Sequence, residues 1–134
     1  MNTELSNFSP ASNALQKPGM VQAITIMTLI NGILNILAGL SLTAAVAIST
    51  MFIGLLCAPV TILPSVLGIF EILYAVKLLS NPPQPVKPSQ TIAILEICCI
   101  LFGDILSLVV GVLALVFYND VTVKTYFARI NNQV

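Results

Sequence analysis

Polar residues are so sparse between Gly19 and Tyr118 that the few places where they cluster divide the chain into elements. The first apolar stretch, 19–79, is interrupted near Ser49 and Thr50. At about 20 residues per crossing, this predicts two long membrane helices, 20–47 and 51–79. Pro59 and Pro64 fall in the second. Each removes a backbone donor, so a kink or re-entrant first turns are expected there. Residues 80–90 then hold four prolines and Lys87, a composition that favours an extended connection over a helix. A third apolar run, 91–118, is long enough for one more crossing and stops at Asn119 and Asp120. The pattern therefore describes an all-α integral membrane protein with a small bundle of three transmembrane helices. The alternative is four shorter spans, turning near Ser41 and again near Pro59, at about 18 residues each.

The flanks differ from this central domain. Residues 1–18 are rich in Asn, Ser, Ala and Gln without a hydrophobic face, which reads as a flexible polar tail. A cleavable signal is not expected, because the start is not basic and the first apolar run is too long. In 119–134, Asp120 is placed to cap a helix in which Val123, Tyr126, Phe127 and Ile130 recur on one face while Lys124 and Arg129 lie elsewhere. Such a short amphipathic helix is expected to lie flat at the interface, its rings at headgroup depth and its cations toward water or phosphate.

Small residues mark the faces that pack. Gly103, Ser107 and Gly111 recur every four residues in the third run. Thr25, Thr28, Gly32, Asn35 and Gly39 form one stripe of the first helix with Asn31 at its border, and Ser65, Gly68 and Ala75 mark the second. Ridges of this kind let helices approach closely where no hydrophobic driving force exists, and they suit partner helices of the same or another chain. A spacing recurs as well: Gly32 and Asn35, Gly68 and Glu71, and Ala93 and Glu96 each put a small residue three positions before a polar one. Every proposed span carries a notch beside a polar group.

Those polar groups are the candidate chemistry. Asp104 lies at the midpoint of the third run, and an intramembrane carboxylate is by default a functional candidate. Measured from the proline-rich side at ~1.5 Å per residue, Glu96, Glu71 and Asn31 fall at depths of about 9, 13 and 16 Å, and Asn35 and Asp104 near 22 Å. Two layers are expected, with Glu71, Glu96 and Asn31 above Asn35 and Asp104. Lys77 is six positions from Glu71 and turned to another face, so it is expected to snorkel to the surface. The three acids thus have no counter-ion within the chain, and isolated charges in low dielectric hold protons instead.

Composition narrows the function classes. With 57% apolar and 7% charged residues, the protein has no room for a separate soluble catalytic domain. Five basic residues balance five acidic ones, which leaves no basic patch for nucleic acid. Absence of histidine removes the commonest metal and haem ligand, and no nucleophile stands beside a base. No cofactor is implied and no enzyme is expected. Cys57, Cys98 and Cys99 lie in apolar runs without CxxC spacing and read as membrane-packed thiols. In a three-span chain Lys17, Lys77 and Lys87 share one side, with Lys124 and Arg129 opposite, which leans toward a cytoplasmic N-terminus. The expected role is a structural or accessory subunit that assembles or stabilises a membrane complex, with the bilayer and other membrane helices as partners. The alternative is a homo-oligomeric proton or cation pathway using Glu71, Glu96 and Asp104.

Overall fold

The computed structural model describes residues 17–132, so most of the expected N-terminal tail lies outside the described residues. Within them the chain is helical and has no strand. Helix α1, Gly19–Ser49, follows Pro18, whose fixed φ and missing donor suit the entry to a helix. Its 31 residues span ~46 Å, well beyond the ~30 Å of a hydrocarbon core. The helix passes Ser41 unbroken, so the four-span division with a turn at that position is not the one observed. It stops where Thr50 turns its hydroxyl back to the Val46 carbonyl at 2.6 Å and accepts from the Gly54 amide at 2.7 Å. Met51 and Phe52 then take left-handed φ values of 49° and 70°, reversing the chain.

A 3₁₀ turn, Ile53–Cys57, and the one-turn helix α2, Ala58–Thr61, lead into α3, Leu63–Leu79. Pro59 and Pro64 stand in the first turns of α2 and α3, where a missing N–H has no helical partner to lose. The prolines therefore start helices here, and the irregularity expected of the second span is confined to its first turns. By length and composition, Gly19–Ser49 and Ile53–Leu79 are each able to cross a membrane.

The third apolar run departs from expectation. It folds as α4, Gln90–Cys98, a 3₁₀ turn, Cys99–Phe102, and α5, Ile105–Asn119. Gly103 at φ 82° reverses the chain between them. Gln90–Phe102 covers only ~20 Å, too short to cross, and α5 turns back along α4. The two pack so closely that a Cβ at Gly111 would sit 2.5 Å from the Ala93 carbonyl oxygen and 3.0 Å from the Glu96 Cβ. A single span over 91–118 is thus replaced by a helical hairpin. A third membrane-spanning unit is present only if α5 is counted together with α6, Val121–Asn131, which is bent from it by 78°.

This reversal brings the end of α5 back to the proline-rich loop. Tyr118 donates to the Tyr74 hydroxyl at 3.1 Å, and Asn131 of α6 donates to the Val86 carbonyl at 2.9 Å. Helix α6 lays Val123, Tyr126, Phe127 and Ile130 against Val21, Ile24, Tyr74 and Leu78. Its apolar face covers the end of the bundle, whereas the sequence suggested rings lying among headgroups. Lys124 and Arg129 point outward and exposed. All five cations consequently lie at one end: Lys17, which donates to the Leu78 carbonyl, Lys77 in the last turn of α3, Lys87 in the loop, and the two on α6. The three-to-two division expected for three spans becomes five to none.

Candidate functional site

Two pairs of helices, α1 with α3 and α4 with α5, meet through small residues at three close contacts. A Cβ at Gly32 would lie 2.8 Å from the Gly68 carbonyl oxygen, and one at Gly39 would lie 2.7 Å from the Ser65 amide nitrogen. The notches of α1 and α3 therefore face each other, and Gly111 of α5 faces Ala93 of α4. These surfaces are filled within the chain and do not wait for partner helices. Gly103 is not part of a packing ridge; nothing lies within 4 Å of where its Cβ would be, and its place in the fold is the turn.

Because the backbones approach closely, the polar residue one turn from each notch is carried into the interface. Asn35 of α1 donates to Glu71 Oε1 at 3.0 Å, and Asn31 donates to the same carboxylate at 3.2 and 3.4 Å. Ser107 of α5 joins them: its Oγ lies 3.1 Å from Asn35 Oδ1 and 3.2 Å from Asn31 Oδ1, and it receives the Asn31 amide at 3.1 Å. The same hydroxyl is 2.7 Å from Asp104 Oδ2. A hydroxyl has one proton to give, so these acceptors compete for it. The two layers expected from depth alone are joined into one network, Glu96 excepted, and Ser107 is its hub.

Asp104 has a local task that the sequence also signals. It is the N-cap of α5, where its Oδ1 accepts from the Ser107 amide at 3.0 Å. Gly103 followed by Asp104 is a helix stop followed by a helix start, placed in the middle of an apolar run. The helix end left inside low dielectric has orphan donors, and the Asp104 carboxylate satisfies one of them.

Glu96 is different. It is 1% exposed, Glu71 is 0% exposed, and the two carboxyl groups neighbour one another across the α3–α4 boundary. Yet neither oxygen of Glu96 meets hydrogen-bond geometry with any group among the described residues. Lys77 is exposed at the loop end and supplies no charge there. Glu96 thus keeps two unused acceptors inside a water-excluded interface, where an unpaired ionised group is costly. Among the described residues, no three acidic or thiol side chains converge as a metal shell.

Two further groups were not singled out by sequence. Tyr74 and Tyr118 pair between the acids and the loop, one turn from Glu71 and two turns from Gly111 respectively. No periodicity distinguishes a tyrosine that will find a partner from one that anchors at an interface. Outside the membrane-crossing helices, Asp120 caps α6 by accepting from the Thr122 amide at 2.7 Å, and that bond holds its carboxyl below the usual carboxylate range.

No family model matches this chain, and no curated protein or solved structure matches it either.

Proposed function

We propose that this chain is a membrane protein that binds a proton at the Glu71–Glu96 pair and passes it across the bilayer. One observation carries the reading: Glu96 is fully buried beside a second carboxyl group, and among the described residues no donor reaches either of its oxygens. Two adjacent acids without a cation cannot both ionise cheaply, so a shared proton is the resident ligand of such a pair. Asp104, half-buried at the hairpin turn, is joined to Glu71 by the hydrogen bonds of Ser107, Asn31 and Asn35, which hold the two carboxyl groups in series. Toward the opposite end, the Tyr74–Tyr118 pair continues the polar column. Intramembrane acids arranged in series are the usual means of proton relay.

The hairpin is re-entrant in this reading, entering and leaving by the same face. With all five cations at that face, the positive-inside bias puts Lys17, the proline-rich loop and α6 in the cytoplasm.

Reconstitution tests the proposal. Liposomes holding the purified chain and a pH-sensitive dye should acidify under an imposed gradient. Glu96→Gln, which keeps shape and removes the titratable group, should abolish that flux while leaving thermal unfolding in detergent unchanged. Asp104→Asn should also collapse it with the cap intact. Flux from Glu96→Gln equal to the unaltered protein, or no flux above empty liposomes from either, sinks the reading.

A second reading, an accessory subunit of a membrane complex, has its own support. Away from the cations the surface is apolar at both turns: Met51 is 86% exposed, with Phe52 and Leu56 also exposed near it in sequence, and Leu101 at the hairpin turn is 85% exposed. Those residues would meet other membrane helices. Gentle extraction followed by native mass measurement distinguishes the two, because co-purifying subunits favour this role and a lone chain or homo-oligomer favours the first.

A further inference from the structure

The four principal helices are not packed evenly. Helix α1 lies tightly on α3, and α4 lies tightly on α5, but α3 and α4 touch only sparsely, near Glu71 and Glu96, and leave a furrow on the outer side. Its upper chamber, about 930 Å³, opens at the cationic end between Lys77 of α3 and Lys87, Ser89 and Gln90 of the loop and α4. Its lower chamber, about 210 Å³, is walled only by apolar and thiol side chains, among them Leu63, Val66, Cys98 and Phe102. Leu67, Phe70 and Leu95 line both chambers, which makes them one continuous channel along the outside of the bundle.

Polarity along the furrow changes in one direction. Two exposed lysines and the hydroxyls of Ser89 and Thr91 surround the mouth, and everything from Leu95 downward is hydrocarbon-like. The first turn of α4 also begins at the mouth, adding the partial positive charge of its free N–H groups. From Lys77 to Leu63 the channel runs ~21 Å along α3, the reach of an extended acyl chain. Cationic mouth, polar collar and long apolar floor are complementary to one kind of molecule.

We infer that the α3–α4 furrow is a specific site for an anionic phospholipid of the surrounding leaflet, its headgroup phosphate held between Lys77 and Lys87 and one acyl chain laid against Leu95, Leu67 and Phe70. The inference is independent of proton binding, since neither Glu71 nor Glu96 lines the furrow. The lipid completes the interface that the protein leaves open and joins the hairpin to α3.

The full chain in mixed micelles tests it by native mass spectrometry and thermal unfolding, with phosphatidylglycerol, phosphatidylcholine or inorganic phosphate added in parallel. Phosphatidylglycerol should remain bound at one copy per chain and raise the unfolding temperature. Lys77→Gln with Lys87→Gln should weaken that binding by roughly thirtyfold, from two charges lost at an anionic headgroup. Lys124→Gln with Arg129→Gln should leave it unchanged, and Leu95→Trp should block it while the chain still folds. Equal retention of phosphatidylcholine, equal stabilisation by inorganic phosphate alone, or indifference to the Lys77/Lys87 change overturns the inference. So does a lipid-free dimer whose formation Leu95→Trp abolishes, because the furrow would then hold a second copy of the chain.

Discussion

The α1–α3 pair and the α4–α5 hairpin solve the same packing problem under different constraints. Both are antiparallel, both close over a glycine, and both place a polar side chain one turn from the contact. The first pair is long enough for its connecting turn to sit at the far end of the molecule, where Thr50 and Gly54 satisfy each other locally. The second is half as long, so its turn lies partway along the bundle, with Leu101 and Ile105 exposed on its outside. It needs a left-handed glycine to reverse and an acid to cap the emerging helix. The comparison teaches that Asp104 is required by where the hairpin ends, whereas Glu96 is required by nothing in the local geometry.

Replacing Gly68 with Leu attacks the long pair where backbones touch, since Gly32 and its neighbours leave no room. A loss of about 3 kcal/mol is expected in an SDS unfolding titration. Stability close to that of the unaltered chain would mean that α1 and α3 are not in direct contact. The corresponding blow to the hairpin is Asp104→Ala, which removes the cap and a Ser107 partner together. It should cost about 2 kcal/mol, with Asp104→Asn recovering most of it. Equal losses from Ala and Asn would show that charge, and not capping, holds the turn. Gly103→Ala strains the same reversal and should cost about 1–2 kcal/mol, while the same change at Gly19, whose surroundings are open, should be neutral.

The smallest expected effect separates the cap inside the fold from the one outside it. Asp120 has its carboxyl held below the ordinary range by the Thr122 amide. Its folded-state value being lowered, the stabilisation is present above the unfolded value and fades as pH falls through the folded one. Helicity of α6 should therefore weaken in acid, and Asp120→Asn should remove that pH dependence. A circular dichroism signal that does not change between neutral and acid pH would refute this role of the cap.

Much of this comparison was legible in the residues. The stripe from Thr25 to Gly39 is buried as the spacing implied, and the small-before-polar repeat marks the crossing points. Depth reckoning placed Glu71 beside Glu96 because it depends only on rise per residue and on a shared starting edge. Counting spans failed for Lys124 and Arg129, because a 28-residue apolar run reads equally as one crossing or as two half-helices joined by a turn. Gly103 and Asp104 carry that distinction, yet Gly103 also fits a four-residue ridge with Ser107 and Gly111, and hydropathy gives no means of choosing. Ser107 was legible as small but not as a hub, since its partners come from α1, more than 70 residues away.

The five-to-none placement of cations bears on how such a protein enters its bilayer. Among the described residues, the segment joining α1 to α3 carries no charge, so threading it to the far side moves no ion through hydrocarbon. In the re-entrant reading the hairpin would go only halfway and return, and its acids would travel no further than the centre. Insertion of this chain should therefore proceed without help from the membrane potential, as two loops pushed in from a single side.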